Sequence, residues 1–526
     1  MSQSCASASK QKSPRPILAY LAYALFFVFT LFPLGMLVAQ ALAGLGAQPE
    51  ETARLFIPSA RRLFLFLKTL AYTGSVAIAA GVLGSLAGLS AWFAPCWRRA
   101  WQAALFLALA AVPPHHHAVA WTWIGQQIAG QAPSGWVMSA WVQTLALAPL
   151  VFALTLLGAG FADQRLLEAA RILQDDGRVI RHILWPAARP AAAAATAIVF
   201  LLTLADYSVP SLFQVTVYSM EILAEFSATH NAVRAFWISL PLLATAMIMA
   251  IVAGWLANIA QRSWRNSLPA EPWHLRLSRA GSLILTIPEI FLWLSPAALV
   301  AALTTQTLAG GSSWEAFAAA RPEAIYTCGS CLLAAAICAP LALFLVWQIR
   351  QGIGTACWST ILLPMALPAP LHGIAFASAW AEMMPRAWQG SDVMVALALA
   401  ERFAPLAVIA CLAHALRLDT SLLDAAEVFQ PNALAGWWRV RLPLLAPGVC
   451  AAGAAVFALG MGDVAASLSV IPPGRSTLAI RIYNYLHYGA SSQVAMLCLV
   501  TLAMAVAVVF FALRMLLAPT VGTSER

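Results

Sequence analysis

The chain has 526 residues, of which 61% are hydrophobic and only 10% charged, and its formal net charge is +9. Soluble globular domains carry about 25% charged residues, so this composition excludes them and predicts a polytopic membrane protein. The positive charge does not predict a nucleic-acid partner, because basic and aromatic residues do not alternate in any soluble segment.

Twelve apolar runs are long enough to cross a bilayer as helices, since a spanning helix needs about 20 mostly apolar residues. The first run is too long for a removable signal peptide and predicts an anchor. The runs are 16–44, 64–94, 101–125, 137–160, 190–212, 235–260, 281–306, 325–349, 356–383, 392–415, 447–470 and 491–514. The sequence therefore predicts an all-α fold of about twelve transmembrane helices.

The basic residues predict the orientation of these helices. If the N-terminus is cytoplasmic, most of the 30 Lys and Arg residues fall on the cytoplasmic side. Cytoplasmic loops of membrane proteins carry such an excess. Both termini are therefore expected in the cytoplasm.

Matched motifs indicate that the chain is an internal duplication. The pairs are Pro33 with Pro296, Ala111-Val112-Pro113 with Ala366-Leu367-Pro368, His117 with His372, Ala148-Pro149-Leu150 with Ala404-Pro405-Leu406, Glu168 with Asp424, and Asp206 with Asp463. Six spans in each half keep both copies in the same orientation. The expected division is a disordered N-terminus at 1–15, a first repeat at 16–260, a cytoplasmic linker at 261–280, a second repeat at 281–516, and a cytoplasmic tail at 517–526.

A polar segment recurs between predicted spans on the cytoplasmic side of each half. Leu166-Leu167-Glu168-Ala169-Ala170 is followed by Pro186, and Leu422-Leu423-Asp424-Ala425-Ala426 is followed by Pro443. Each carboxylate is expected in the first turn of a short helix, where the helix dipole favours it. Each proline is expected to stop the following helix where the chain re-enters the membrane. Recurrence at matched positions makes a plain solvated loop the less favoured interpretation.

This pair resembles the EAA loop of type I ATP-binding cassette (ABC) importer permeases, the segment that docks onto a separate ATPase. The family usually has glycine at the positions of Gln174 and Gln430, and a left-handed turn there would be costly for a residue with a Cβ. By resemblance, the coupling residues are Glu168, Ala169, Ala170, Gln174, Gly177 and Arg178 in the first half, and Asp424, Ala425, Ala426, Gln430 and Asn432 in the second.

The resemblance covers residues 16–514 and extends to fused, double-length permeases for iron(III) or thiamine, on segments 204–210 and 471–484. It implies a bacterial inner membrane, two copies of an ABC ATPase, and a periplasmic or lipid-anchored binding protein. Ferric iron is the expected substrate, and thiamine, polyamine, sulfate and phosphonate are alternatives.

The chain is expected to have no ATPase of its own. A phosphate-binding P-loop needs Gly-Lys-Ser/Thr. The lysines are Lys10, Lys12 and Lys68, and none has this context. ATP is therefore expected on the partner, and neither catalysis nor a bound cofactor is predicted for this chain.

Asp206 and Asp463 lie about two-thirds of the way along the fifth predicted helix of each half. Ionisable groups within spans usually face a cavity or a partner. Carboxylates facing a pore favour a cation, whereas a permease for anions would place Arg or half-helix N-termini there. That each acid merely caps a helix near the outer interface is an equally favoured interpretation.

His117 and His372 also recur at matched positions, which makes them candidate pathway residues. His115, His116 and His117 look like a metal cluster, but three consecutive helical residues cannot converge on one ion unless the preceding prolines unwind the helix. No metal site is therefore predicted.

A secondary transporter driven by an ion gradient remains the alternative class, since Glu289, Glu401, Asp206 and Asp463 could relay protons. Such a carrier has no reason to repeat an acidic, alanine-rich helix in both halves. Glu401 and the adjacent Arg402 are expected to bond to other helices rather than to each other, because adjacent helical residues point about 100° apart. A membrane enzyme is disfavoured, because no catalytic arrangement of residues is present.

Overall fold

The computed structural model describes residues 16–45, 59–264, 277–310, 313–349, 355–383, 391–416, 432–488 and 491–517, together with the single positions Pro385, Trp388, Leu418 and Phe429. All regular secondary structure in these ranges is helical. The predicted all-α polytopic fold is thereby confirmed. Residues 1–15, most of the linker at 261–280, and the tail from residue 518 lie outside the described ranges.

The first half contains eleven described helices, with one π-helical turn at Ile180–Leu184 between α7 and α8. In chain order they are α1 (Pro16–Leu45), α2 (Ala60–Trp92), α3 (Cys96–Ala110), α4 (Pro114–Ala129), α5 (Trp136–Ala159), α6 (Gln164–Leu173), α7 (Asp176–Val179), α8 (Trp185–Ala205), α9 (Ser208–Leu212), α10 (Tyr218–Thr229) and α11 (Ala232–Trp264).

The second half has a similar order of long helices, with an additional short helix before its second long helix, a 3₁₀ turn at Leu363–Ala366 and a π-helical turn at Trp437–Arg441. Its described helices are α12 (Arg279–Ala309), α13 (Ser313–Ala319), α14 (Arg321–Ile349), α15 (Thr355–Leu362), α16 (Ala369–Met383), α17 (Asp392–Ala415), α18 (Ala433–Gly436), α19 (Leu442–Gly460), α20 (Ala465–Val470), α21 (Leu478–Tyr488) and α22 (Ser491–Leu517).

Two of the twelve predicted spans are broken rather than continuous. Among the described residues, ten helices are long and apolar enough to cross a membrane, and two bent pairs bring the number to twelve. The third predicted span bends by 88° between α3 and α4, and the ninth bends by 87° before α16. Pro113 and Pro368 lie at these breaks, where the missing N–H and the ring disrupt the preceding turn. The predicted twelve spans are reached when each bent pair is counted as one span.

The two halves interlock through exchanged first helices. Helix α1 packs against α14 and α16 of the second half, and α12 packs against α2 of the first. Phe26 of α1 thus shares a buried cluster with Leu345 of α14, while Leu299 of α12 shares one with Val151 of α5. Each half therefore completes its core with a helix from the other.

Small residues bring the membrane helices into backbone contact. A Cβ at Gly84 of α2 would lie 2.6 Å from the carbonyl oxygen of Ala148 in α5, and one at Gly254 of α11 would lie 2.6 Å from the amide nitrogen of Ser359 in α15. Lipid supplies no hydrophobic drive for helices to associate, so such close packing carries much of the attraction between them.

The prolines before the fifth long helix of each half do not stop a helix, contrary to expectation. Pro186 and Pro443 lie in the first turn of α8 and α19, each directly after a π-helical turn. Proline has no N–H to donate to the carbonyl four residues earlier. The π-helical turn, whose hydrogen bonds join residues five apart, accommodates this missing bond. Helical structure therefore continues without interruption from Asp176 to Ala205 and from Leu434 to Gly460.

Candidate coupling surface and membrane polar sites

Helix α6 carries the first of the predicted coupling segments. Asp163 caps its N-terminus by accepting a hydrogen bond from the Arg165 amide at 2.9 Å, and Gln164 Nε2 donates to Glu168 Oε1 at 2.6 Å. Glu168 is the fifth residue of the helix, so its expected place in the first turn was wrong. Asp163, which sequence reasoning missed, supplies the negative charge at the helix start.

The same helix is anchored by one leucine and exposes three other apolar side chains. Leu167 is 1% exposed and packs into the first-half core. Leu166, Ile172 and Leu173 are 54%, 84% and 82% exposed. Ala169 beside them is also exposed. Helix α6 therefore presents an apolar face that no described part of the chain covers.

Gln174 ends α6 in an extended conformation, with φ −137° and ψ 156°. Glutamine adopts this conformation without strain, so the left-handed turn expected from a family glycine is not needed here. Asp175 then caps α7 by accepting from the Arg178 amide at 3.3 Å, and it pairs with the Arg178 guanidinium at 3.2 Å. Gly177 lies between them in α7.

Most of the second coupling segment, including Asp424, Ala425, Ala426 and Gln430, lies outside the described residues. Asn432 is described and caps α18 by accepting from the Ala435 amide at 2.7 Å. It lies 257 positions after Asp175, which caps the N-terminus of α7 in the first half. The neighbouring apolar side chains Phe429, Leu434 and Trp438 are exposed.

Asp206 lies one residue past the end of α8, rather than two-thirds of the way along it. Its Oδ1 accepts from the amide of Ser208 at 2.9 Å and from its hydroxyl at 2.7 Å, which caps the short helix α9. Gln143 of α5 donates to Oδ2 at 2.6 Å. The sequence shows no pattern that links Gln143 to this acid, 63 residues away.

Asp463 lies three residues past the end of α19 and has a charged partner. Arg402 of α17 donates to Oδ1 at 2.5 Å, and the Arg402 and Asp463 side chains are 23% and 2% exposed. Oδ2 accepts from the amides of Ala466 at 3.1 Å and Ser467 at 2.9 Å. In this conformation both acids cap helices, but only Asp463 has a counter-charge, whereas Asp206 accepts hydrogen bonds from neutral groups and keeps its negative charge.

The histidines do not form a metal site. His115, His116 and His117 are buried in the first turn of α4, and His116 bonds to the hydroxyl of Thr501 in α22. Neither ring nitrogen of His117 or His372 has a hydrogen bond of good geometry within the described residues. Over those residues, no three His, Cys, Asp or Glu side chains converge to hold a metal.

The surroundings of Asp206 in the first half and of Asp463 in the second half lie close together, near the break in the third span. A Cβ at Gly462 would clash with the ring of Pro113, so the residue before Asp463 lies against the start of α4. Tyr207, next to Asp206, packs in one cluster with Ala465, which lies two residues past Asp463. The structure thus brings the surroundings of both aspartates to one interface, although whether they line a pathway stays a prediction.

Comparison with known proteins finds transport permeases. No family model matches the chain. Over 203 residues it is 27% identical to the "Putative 2-aminoethylphosphonate transport system permease protein PhnV" of Salmonella typhimurium strain LT2, covering 37% of this chain and 71% of that protein. Over 158 residues it is 30% identical to the molybdenum transport system permease protein ModB of Mycobacterium tuberculosis strain H37Rv, covering 27% of this chain and 59% of that protein.

These similarities, together with the helices long enough to cross a membrane, support a multi-pass membrane protein related to permease subunits of transport systems. Both relatives are shorter than this chain. Because 203 residues are 71% of PhnV, that protein has about 286 residues, roughly half of 526.

Proposed function

We propose that this protein is the membrane-spanning translocation subunit of an ABC importer, with both permease halves on one polypeptide. The observation that carries the proposal is the apolar face of α6, which is anchored by Leu167 and which no described part of the chain covers. A partner that buries Ile172 and Leu173 would remove that face from water. The exposed Phe429, Leu434 and Trp438 suggest a second such surface in the other half.

Two observations support the double length, namely the shorter relatives and the matched elements of the two halves. A relative of about half this length corresponds to one repeat, and each half here has a broken third span, a π-helical turn before a proline, and an aspartate cap after the fifth long helix. We place the boundary between the repeats at residues 261–280. Two coupling surfaces on one chain then call for two ATPase subunits, one on each.

The far ends of α8 and α19 lie opposite the coupling surfaces, because the helical runs that lead to them have 30 and 27 residues, about 45 and 40 Å, and exceed the bilayer core of about 30 Å. In an inner membrane with the coupling surfaces in the cytoplasm, these ends lie on the periplasmic side. A substrate-binding protein would deliver its ligand there.

For the substrate, ferric iron is now less favoured than a phosphonate or related oxyanion. Asp463 is paired with Arg402, so of the two carboxylates that suggested a cation only Asp206 keeps an uncompensated charge. A relative named for 2-aminoethylphosphonate adds direct support. An ion-coupled carrier is the weaker candidate, because it leaves the uncovered face of α6 without a role.

We expect the purified chain to hydrolyse no ATP alone and to copurify with two copies of an ATPase subunit from its host. The physical reason is the absence of a Gly-Lys-Ser/Thr loop combined with a docking face in each half. Quantitative mass spectrometry of the affinity-purified complex measures the ratio. Intrinsic ATPase activity of the lone chain would refute the assignment.

We also expect deletion of this gene to abolish growth of the host on 2-aminoethylphosphonate as its sole phosphorus source, while growth on inorganic phosphate continues. Uptake of iron-55 by the same strain is the matched measurement for the ferric alternative. Normal growth on the phosphonate together with loss of iron uptake would show that ferric iron, and not the phosphonate, is the substrate.

A further inference from the structure

An apolar groove of about 380 Å³ opens between α1 and α14. Leu25 and Pro340 are exposed in it, and the other lining side chains are half-buried. Both helices are long and apolar enough to cross a membrane, so the groove opens toward lipid rather than water. All lining residues belong to these two helices, and they are Leu25, Phe29, Ile337, Pro340, Leu341 and Phe344.

The apolar stripe that lines the groove on α14 continues toward the end of that helix. Ile337, Pro340, Phe344 and Trp347 follow one another at intervals of three or four residues, so they share one helix face. The ten residues from Ile337 to Trp347 cover about 15 Å along the helix axis, which is half of a bilayer core of about 30 Å. The stripe therefore has the length of one leaflet.

Basic side chains lie at the Trp347 end of this stripe. The ring centroids of Trp347 and Trp437 are 5.2 Å apart, and the Arg441 guanidinium carbon lies 4.8 Å from the Trp347 ring centroid. Trp437 and Arg441 are the first and last residues of the π-helical turn that follows α18, and Arg439 between them is exposed. Among the described residues, α1, the last three turns of α14, this π-helical turn and α19 carry no acidic residue.

The matched place in the first half is closed by polar contacts. There α12 is the exchanged helix that packs on α2. Its Glu289 accepts from Ser90 Oγ at 2.6 Å and from Gln102 Nε2 at 2.6 Å, and Leu292 one turn later is 1% exposed. In α1 the apolar Phe26, 263 positions earlier, replaces Glu289. The bonds that fasten α12 at this position therefore have no counterpart in α1.

The π-helical turns of the two halves differ as well. Ile180 and Leu184 stand 257 positions before Trp437 and Arg441. They are 9% and 0% exposed and pack into the first-half core. Tryptophan and arginine at this level of the membrane are thus a feature of the second half alone.

We propose that the groove binds one anionic phospholipid from the leaflet on the coupling side, with an acyl chain along the α14 stripe and the phosphate at Arg439 and Arg441. An acyl chain fits the apolar lining and the length of the stripe. Tryptophan is enriched at the level of lipid headgroups, and arginine binds phosphate through paired N–H donors. Basic pockets between membrane helices recognise anionic headgroups, whereas a zwitterionic lipid would bring its own positive charge to the turn.

The bound lipid would do for α1 what Glu289 does for α12, because it fills the space beside the exchanged helix. Since α18 ends directly before the π-helical turn, a headgroup held there would also stabilise the second coupling segment. The lipid site does not depend on the importer assignment, and its failure would leave that assignment unchanged.

Native mass spectrometry of the purified chain, titrated with lipid in detergent, tests the site. The probes are phosphatidylglycerol and phosphatidylcholine with identical acyl chains. We expect one phosphatidylglycerol molecule to bind on the order of tenfold more tightly than one phosphatidylcholine. Equal affinities for the two lipids would overturn the proposal.

Arg439→Gln with Arg441→Gln should weaken phosphatidylglycerol binding on the order of 30-fold, because each arginine near an anionic lipid contributes about a factor of five. Arg439→Lys with Arg441→Lys keeps the charge and should keep most of the binding. A loss as large as that of the glutamine pair would indicate a damaged turn instead of a lost headgroup contact, and would overturn the proposal.

The matched control is Arg181→Gln with Arg189→Gln, which removes the same charge near the π-helical turn of the first half, where both side chains are exposed. It should leave phosphatidylglycerol binding unchanged. An equal loss in this control would reduce the effect to net charge and contradict a site in the second half.

Leu25→Trp fills the groove and should abolish the tight phosphatidylglycerol site. Val28→Trp adds the same side chain to α1 at a position that is 55% exposed and outside the groove lining, and it should bind lipid as the native chain does. The unfolding temperature gives a second measurement, because a ligand of the folded state raises it. Phosphatidylglycerol should raise it for the native chain and for Val28→Trp, whereas an equal rise for Leu25→Trp would refute the groove as the lipid site.

Discussion

Replacing Ile172 and Leu173 with glutamine should release the ATPase from the first half of the chain. Both side chains are more than 80% exposed on α6, and glutamine keeps the helix propensity while removing the apolar surface. Central apolar anchors of an interface contribute about 2 kcal/mol each, so losing both should weaken binding on the order of 10²- to 10³-fold. Pull-down of the ATPase at several concentrations measures the change.

Ile128→Gln is the matched control, because Ile128 is 82% exposed but lies at the end of α4, away from the coupling surface. It should leave ATPase binding unchanged. Unchanged binding in the α6 double variant as well would show that this face is not where the ATPase docks, and the importer assignment would lose its main support.

Arg402→Leu should be the most destabilising single change among the membrane polar residues. It leaves the Asp463 carboxylate, whose side chain is 2% exposed, without its counter-charge. Removing one partner of a buried ion pair costs about 3–5 kcal/mol, and the partial exposure of Arg402 places the loss near the lower end. The unfolding temperature in detergent should fall clearly below that of the native chain.

Adding Asp463→Asn to Arg402→Leu should recover most of the stability that Arg402→Leu loses. Asparagine keeps a carbonyl oxygen that can accept from the amides of Ala466 and Ser467, and it removes the unpaired charge. Gln143→Leu in the first half is the matched comparison and should cost less, about 2 kcal/mol, since Asp206 keeps its bonds to Ser208 and Tyr72 keeps its bond to Ser139. A double variant no more stable than Arg402→Leu alone would argue against charge pairing as the cause.

The positions of most membrane helices could be predicted from the sequence, because the length of an apolar run is set by bilayer thickness alone. The breaks at Pro113 and Pro368 could not, since Ala-Val-Pro and Ala-Leu-Pro are as apolar as the helices around them. The same limit applies at Asp206 and Asp463, where the predicted apolar runs continue past the residues at which the helices end.

The partners of the candidate pathway residues were beyond sequence reasoning. Arg402 and Asp463 are 61 residues apart, and the first half has Gln143 rather than an arginine as the partner of its aspartate. Internal symmetry therefore pointed to the two aspartates but not to the side chains that donate hydrogen bonds to them. The exposure of Ile172 and Leu173 could not be predicted from the sequence either. Only the fold shows that Leu167 faces the core while these neighbouring apolar residues do not.

The uninterrupted helix from Asp176 to Ala205 has a mechanical consequence. A continuous helix of about 45 Å can carry a displacement from Arg178 near one membrane face to Asp206 near the other, because helical hydrogen bonding continues through the π-helical turn at Ile180–Leu184. Two extended residues, Gln174 and Asp175, connect α6 to this helix. Movement of a docked ATPase would thus be converted at these two residues, acting as a joint, into tilting of the helix that ends at Asp206.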